Sequence, residues 1–177
     1  MSKQTEIAVF GGGCFWCTEA VFSQLRGVES VMPGYAGGNI QDPSYQQVSS
    51  GTSGHAEVIR VEFNPEQISY RELLTAFFAS HDSTTLNRQG NDIGTQYRSV
   101  ILYRSEQQKK EAEEVIAEID DDSSPVVTEV KPLDEFYEAE EEHKQFYARN
   151  PSQAYCQVVI NPKLQKFQKE YAQLLKS

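Results

Sequence analysis

The chain has 177 residues, of which 38% are hydrophobic and 11% aromatic, and its formal net charge is −10 at pH 7. This length accommodates one well-buried core, and the composition is that of a globular rather than a disordered protein. The acidic balance argues against nucleic-acid binding, and the absence of any run of 18 apolar residues argues against a membrane span. The N-terminal segment lacks the apolar stretch of a signal peptide, so we expect a cytoplasmic protein. Nothing in the sequence demands a partner chain, and we expect a monomer.

The sequence of the first third of the chain predicts a helix with one strand before it and one strand after it. Residues 6–10 form a short β-rich run that stops at three consecutive glycines. The apolar spacing from Cys14 onward predicts a helix that ends near Gly27, and residues 28–38 predict a strand that breaks into a turn. Residues 39–54 are rich in Gly, Ser, Pro and Asn, which predicts a loop.

A second strand–helix–strand unit follows. Residues 56–65 read as a strand, and Ser69 followed three residues later by Glu72 predicts the start of a helix. The remaining predicted elements are, in chain order, a polar loop over 87–96, a central strand over 97–104, a charged helix over 105–119, an edge strand over 125–133, a helical stretch over Glu135–Tyr147, a loop at Asn150 and Pro151, and a final helix after Pro162.

Two successive strand–helix–strand units indicate the split βαβ order. We therefore expect an α+β sandwich with an antiparallel or mixed sheet and with loop and helix extensions. No internal repeat or interdomain linker is visible in the sequence. The 177 residues thus predict a single domain, with a core over about 6–160 and a helical tail over about 162–177.

The segment FGGGCFWCTEAVF, residues 10–22, carries the strongest chemical signal. Cys14 follows a Gly-rich turn at a predicted helix N-terminus, where unpaired N–H groups and the helix dipole favour thiolate over thiol. We therefore expect Cys14 to be activated by its position. Phe15 and Trp16 are either ordinary core residues or the wall of an apolar pocket beside a reactive sulfur.

Three hypotheses compete for the cysteines. Cys14 and Cys17 have the spacing of a thioredoxin-like dithiol, although Phe and Trp between them are unusual for that class. A zinc site would need ligands beyond these two, and Cys156 and the three histidines show no paired spacing, so no metal is expected. The third hypothesis is a single nucleophile, Cys14, with Cys17 as a helper or a bystander.

Three later stretches contain further candidate residues, each with an ordinary structural explanation. Tyrosines at strand ends often pack interfaces, a Glu at a strand start is often solvated, and a lone Cys is often a small buried hydrophobe. The candidates are Tyr45 and Glu57, then Asp92 and Tyr97, then Tyr147 and Cys156.

Taken together, these stretches resemble the A-type peptide methionine sulfoxide reductases. The motifs GCFWC, GYAGG, GHAE, NRQGNDIGTQYRS and NPSQAYC occur in that family's order and approximate spacing. The resemblance implies a ferredoxin-like split βαβ core within the α+β sandwich. It also implies reduction of methionine S-sulfoxide, protein-bound and free, to methionine, as repair of oxidised proteins; sulfoxide repair uses one enzyme per epimer.

The resemblance also implies roles for the candidate residues. Glu57 would be the acid that protonates the sulfoxide oxygen, which requires a raised pKa, and Tyr45 and Tyr97 would donate hydrogen bonds to that oxygen. Phe15 and Trp16 would surround the substrate methyl group. Asp92 would be a supporting group, and Tyr147 would line the site.

By the same resemblance, the Cys14 thiolate would attack the substrate sulfur and become a sulfenic acid. A second thiol would convert it to a disulfide, which thioredoxin, or dithiothreitol in vitro, would reduce without a cofactor. Cys156 matches the family's common recycling position and is favoured as this thiol. Cys17 is the alternative, although a bridge across one helical turn would strain that turn. Because no cysteine follows Cys156, a relay through a C-terminal tail is not possible.

Two other functional classes make different predictions. A dithiol oxidoreductase would need both Cys14 and Cys17 but not Glu57, Tyr45 or Tyr97. A redox-sensing module, with Cys14 oxidised directly by peroxide, would tolerate other apolar residues in place of Phe15 and Trp16. Convergence of the polar trio on Cys14 would favour the reductase.

Overall fold

The computed structural model describes residues 5–176, and a six-stranded sheet with helices packed against it is its main feature. The strands are β1 (Glu6–Gly11), β2 (Val28–Ala36), β3 (Ala56–Phe63), β4 (Arg88–Gln89), β5 (Asp92–Ile93), β6 (Val100–Tyr103), β7 (Glu129–Pro132) and β8 (Phe136–Glu138). The helices are α1 (Phe15–Ser23), α2 (Tyr45–Ser49), α3 (Tyr70–Ser80), α4 (Glu106–Ile119), α5 (Phe146–Arg149) and α6 (Asn161–Glu170). Short 3₁₀ turns span Thr95–Tyr97, Glu141–His143 and Ala172–Leu174, and a π-helical turn spans Cys156–Ile160.

The sheet order is β7-β6-β1-β3-β2-β8, and β4 and β5 form a separate hairpin. The four central strands pair antiparallel, with α1 connecting β1 to β2 and α3 lying between β3 and β6 in the chain. This is the split βαβ arrangement, so the α+β fold class is confirmed. Strand β7 is an edge strand, as predicted, and pairs parallel to β6.

The alternation of side chains along β3 divides the apolar residues into two clusters. Ile59, Val61 and Phe63 belong to the main core, which also contains side chains of α1, α3, α4 and α6. Ala56 and Val58 belong to a smaller cluster on the opposite face. Because side chains two residues apart point the same way, Glu57 lies on the face of the main core.

Helix starts follow local sequence signals. Ser69 accepts a hydrogen bond from the Glu72 N–H, and the Glu72 carboxylate accepts one from the Ser69 N–H, which confirms the predicted N-cap of α3. The same reciprocal pair, formed by Ser44 and Gln47, starts α2 inside the segment expected to be a loop. That expectation missed a short helix because Ser, Gly, Pro and Asn together make up half of the segment, and this composition is typical of a loop.

The helical stretch predicted over Glu135–Tyr147 is wrong. Its first part is β8, which pairs antiparallel with β2, and its last part begins the short helix α5. Phe136 packs on the smaller apolar cluster, with the Arg60 guanidinium 4.8 Å from its ring centroid. Pairing with the sheet edge therefore overrides the local helical preference.

The central strand expected over 97–104 begins at Val100. Tyr97 instead belongs to the preceding 3₁₀ turn. The C-terminal helix starts close to Pro162, as predicted, but it ends at Glu170 and a 3₁₀ turn follows it; residue 177 of the expected tail lies outside the described residues. The π-helical turn that contains Cys156 directly precedes α6. No helix within residues 5–176 has the length and apolar character needed to cross a membrane.

We expect Phe10→Ala to lower the free energy of unfolding by about 3–5 kcal/mol, because Phe10 is a fully buried aromatic residue whose loss leaves a cavity. Its ring lies 5.0 Å from Phe77 and 5.5 Å from Phe22, measured between centroids. Urea unfolding would measure the change. Leu86→Ala is the control, since Leu86 is 69% exposed and its loss should change stability by less than about 0.5 kcal/mol. Equal effects of the two substitutions would contradict this account of the core.

Candidate active site

Gly11, the last residue of β1, and the two glycines after it lead the chain into α1. Gly13 has a φ of +93°, and a Cβ there would lie 2.7 Å from the Gln89 side chain, so both backbone conformation and space require glycine. Cys14 follows as the N-cap of α1, with an extended backbone. The first helical N–H, that of Phe15, donates to Glu57 Oε1 at 3.1 Å. The glycine turn therefore places Cys14 beside a carboxyl group on β3.

Cys14 is buried, with 9% of its surface exposed. Burial, the neighbouring Cys17 thiol and the nearby Glu57 together hold the pKa of Cys14 well above its ordinary value, whereas the Trp16 N–H acts in the opposite direction. The expectation that position alone activates Cys14 is therefore wrong. The helix N-terminus does contribute, but desolvation outweighs it, and Cys14 is a thiol at neutral pH in the free protein.

Cys17 lies one turn further along α1 and has a different environment. Interaction with the Cys14 thiol lowers the pKa of Cys17 to about 7, burial opposes this effect, and Lys163 and the Tyr155 hydroxyl add to it. Cys17 Sγ lies 3.6 Å from the Tyr155 hydroxyl, which donates to Asp92 Oδ2 at 2.8 Å. Asp92 thus reaches the thiol pair through Tyr155, a residue that the sequence analysis did not single out.

Glu57 lies near the beginning of β3, with only 2% of its surface exposed. Burial raises the pKa of Glu57, the Phe15 N–H opposes this effect, and Asp92 and Cys17 add to it, so that the pKa is about 8. The carboxyl group is therefore mostly protonated at neutral pH. This is the raised pKa that a general acid requires.

The two predicted tyrosines face the same point. Tyr45 begins α2, and Tyr97 ends the 3₁₀ turn after β5. Burial raises the pKa of both phenols, and the neighbouring Glu57, Cys14 and Asp92 raise them further. Residues from α1, α2, β3 and the 3₁₀ turn therefore converge on one site, with both phenols protonated.

Aromatic rings form one wall of this site. The Trp16 and Phe146 rings stack in parallel, with centroids 3.7 Å apart and planes 7° apart. Trp16 Nε1 donates to His143 Nδ1 at 3.2 Å, which assigns the imidazole proton to Nε2. His143 lies between Phe15 and Tyr45, at ring-centroid distances of 5.3 and 4.7 Å, and burial lowers its pKa. The wall is therefore apolar and uncharged at neutral pH.

The residues at 140–146, here called the strap, connect this wall to the sheet. Glu140 accepts hydrogen bonds from the Tyr35 hydroxyl at 2.8 Å and from the Tyr45 N–H at 3.0 Å. Sequence analysis did not single out Glu140, which belongs to the acidic run Glu140–Glu142, or His143 or Phe146. Their contacts are made across the fold, and the only local signal is a histidine and an aromatic residue beside the acidic run.

Comparison with known proteins agrees with this geometry. The family model described as peptide methionine sulfoxide reductase matches residues 6–175. The chain belongs to that family. Peptide methionine sulfoxide reductase MsrA of Acinetobacter baumannii (strain AYE) is 55% identical over 170 residues, which are 96% of this chain and 98% of that protein. MsrA of Saccharolobus solfataricus is 54% identical over 172 residues, covering 97% of each.

A solved structure extends the similarity to three dimensions. The reduced form of Mxr1 from Saccharomyces cerevisiae superimposes with a TM-score of 0.80 at 33% identity, covering 86% of this chain and 90% of that chain. Mxr1 is also known in complex with Trx2, a structure that matches with a TM-score of 0.51 at 23% identity over 82% of this chain and 89% of that one. The latter similarity shows the fold alone.

Two predicted site residues of this reductase lie away from the thiol and the acid. The Tyr147 hydroxyl donates to Asn161 Oδ1 at the start of α6. Cys156 is fully buried in the π-helical turn. Burial raises its pKa, and the nearby Cys17 adds to this effect.

The histidines of this reductase have protein partners. The two ring nitrogens of His55 contact the Gly38 N–H and the Ile40 carbonyl oxygen, and those of His81 contact the Phe77 carbonyl oxygen and the Ser99 hydroxyl. Within residues 5–176 no three His, Cys, Asp or Glu side chains cluster as metal ligands would.

Proposed function

We propose that this chain reduces the S epimer of methionine sulfoxide, in proteins and as the free amino acid, and so repairs oxidised proteins. Membership of the peptide methionine sulfoxide reductase family supports the reaction. The observation that carries the proposal is a buried, protonated Glu57 beside the Cys14 thiol at an aromatic wall. A sulfoxide has a partly negative oxygen, an electrophilic sulfur and a methyl group, and these three parts match the acid, the thiol and the wall.

The proposed roles follow from these positions. The substrate methyl group packs against Phe15 and Trp16, and the oxygen accepts hydrogen bonds from Glu57, Tyr45 and Tyr97. The Cys14 sulfur attacks the substrate sulfur while the S–O bond breaks and Glu57 supplies a proton to the oxygen. The oxygen leaves as hydroxide, the Cys14 proton returns Glu57 to its acid form, and Cys14 is then joined to the substrate sulfur as a sulfonium. Hydroxide attacks the Cys14 sulfur, the S–S bond breaks and methionine leaves with the electron pair, so one thiol and one sulfoxide give one sulfenic acid and one methionine.

The thiol that condenses with this sulfenic acid is proposed to be Cys17. Cys14 is the N-cap, and its extended backbone frees it from the helical spacing that would strain a bridge to Cys17. Cys17 Sγ also lies 3.6 Å from the Tyr155 hydroxyl, and the nearby Lys163 favours the thiolate form of Cys17. Cys156, which the family motif favours, lies buried in the π-helical turn and would have to move first.

Condensation of the Cys17 thiol with the sulfenic acid forms a disulfide and releases water. A dithiol then reduces this disulfide, and we propose thioredoxin for the role, as the relative Mxr1 is known in complex with Trx2. Dithiothreitol would replace it in vitro. Residues 1–177 would act as one catalytic domain, a monomer, in the cytoplasm, where reduced thiols persist.

Product analysis with peptides containing pure S- or R-methionine sulfoxide tests this proposal. With dithiothreitol as reductant, we expect methionine from the S peptide only, and none when Cys14 is replaced by Ser. Methionine from the R peptide alone would contradict the stereochemistry. No methionine from either peptide would overturn the proposal in favour of a dithiol oxidoreductase, which reduction of a disulfide substrate by the Cys14–Cys17 pair would reveal.

A further inference from the structure

Glu19 is a buried acid that the proposed reaction does not use. It lies on α1 with 3% of its surface exposed. Oε2 accepts a hydrogen bond from the Gln145 N–H at 3.0 Å, and the Phe146 N–H also faces the carboxyl group. Within residues 5–176, Oε1 has no hydrogen-bond partner. A carboxyl group in such a place is costly to bury, so its contacts with the strap need an explanation.

The backbone that Glu19 contacts is unusual. Gln145 has a φ of +53°, in the left-handed region that residues other than glycine rarely adopt. Helix α5 starts directly after it, and with four residues this helix is too short to hold its own position. The carboxyl group therefore binds the strap where its backbone is strained and where the chain turns into α5.

That turn determines the position of Phe146. The Phe146 ring stacks on Trp16, which lies three residues before Glu19 on the same helix. Residues three apart on a helix share a face, so α1 presents to the strap both one half of the aromatic stack and the group that anchors the other half. Loss of the anchor would release Phe146 while leaving Cys14 and Glu57 in place.

We propose that Glu19 is a positioning residue that fixes Phe146 against Trp16 and thereby sets the affinity of the aromatic wall for the methylsulfinyl group. The inference rests on the proposed reductase function. Glu19 touches no reacting atom in the proposed mechanism. Its removal should therefore weaken substrate binding more than it slows the chemical step.

Two measurements test this role, and one is independent of catalysis. Trp16 is the sole tryptophan of the chain, so fluorescence that is excited selectively in tryptophan reports on the stack. We expect Glu19→Ala to make Trp16 more accessible to acrylamide quenching. With the S-sulfoxide peptide, KM should rise about tenfold while kcat changes by less than about threefold. Glu19→Gln retains a carbonyl oxygen for the Gln145 N–H and should restore both properties towards wild type.

Ser23→Ala is the matched control on the same helix. The Ser23 hydroxyl donates to the backbone carbonyl oxygen of Glu19 at 2.6 Å, not to its carboxyl group. The strap is not involved in this hydrogen bond, so fluorescence and KM should be unchanged. The double variant of Glu19→Ala and Phe146→Ala should have the KM of Phe146→Ala alone, because Glu19 acts through Phe146. Additive effects, or wild-type quenching in a folded Glu19→Ala, would overturn the proposal.

If Glu19→Ala does not fold, quenching and KM of the Glu19→Gln and Phe146→Ala variants test the proposal instead. Phe146→Ala must then raise both quenching and KM, and unchanged values would overturn the proposal. Absence of sulfoxide reduction by the wild-type protein would refute the proposed function, whereas the quenching data would still show whether Glu19 anchors the stack.

Discussion

Glu57→Gln should lower kcat for the S-sulfoxide peptide by about 100- to 10,000-fold, the range typical of losing a general acid. The amide retains an oxygen that can accept the Phe15 N–H, so the start of α1 should keep its geometry. It cannot, however, transfer a proton to the sulfoxide oxygen. Steady-state kinetics with dithiothreitol would measure the loss, and circular dichroism would confirm the fold.

The pH dependence of the rate identifies the same group. The pKa of Glu57 is raised to about 8, so its acid form is present below pH 8 and is lost as the pH rises through that value. The wild-type kcat should therefore fall above pH 8, and this alkaline limb should be absent in Glu57→Gln.

Glu62→Gln is the control for this prediction. It makes the same chemical change on β3, at a position whose side chain points to the opposite face from Glu57. Its kcat and its pH profile should match those of the wild type. A loss of less than tenfold in Glu57→Gln, or an alkaline limb that persists in this variant, would assign the acid to another group.

Much of the fold could be predicted because its signals are local. Strands β1, β2 and β3 follow from apolar runs, and α3 follows from its capping residues Ser69 and Glu72. The order of these elements suffices to place β3 between β1 and β2. That placement in turn brings Glu57 to the N-terminus of α1, although the two lie far apart in the chain.

The segment formed by β8 and the strap could not be predicted in the same way. Its sequence has helical character, but β8 gains more from pairing with β2 and packing Phe136 than a surface helix would gain. The left-handed Gln145 then turns the chain so that Phe146 reaches Trp16. Both effects depend on surfaces supplied by distant parts of the chain, and no local pattern encodes them.

The charge state of Cys14 could not be predicted from the sequence either. Sequence reveals the glycine turn and the helix N-terminus, both of which favour a thiolate. It does not reveal that the same turn buries the sulfur beside an acid and a second thiol. Burial and these two neighbours raise the pKa of Cys14 by more than the helix N-terminus lowers it. The identity of the nucleophile could thus be inferred from the motif, while its ionisation depends on the tertiary fold.

Separate replacement of Cys17 and Cys156 by Ala should have very different effects on turnover. Cys17→Ala should still form one equivalent of methionine in a single turnover, because Cys14 and Glu57 are intact. Its thioredoxin-coupled turnover should fall by roughly 100-fold, because the sulfenic acid then lacks its neighbouring thiol. Cys156→Ala should retain most of the turnover, and alanine avoids burying a hydroxyl without a partner.

Rapid-quench analysis of the first turnover, followed by steady-state assays with thioredoxin, would distinguish the two thiols. The double variant of Cys17 and Cys156 serves as the control that has no resolving thiol. If Cys156→Ala loses turnover and Cys17→Ala does not, the π-helical turn must unwind during the cycle to bring Cys156 to Cys14. The family motif would then identify the resolving thiol better than the resting geometry does. If Cys17→Ala alone loses turnover, the first turn of α1 contains both thiols of the reaction, and the buried Cys156 is a core residue.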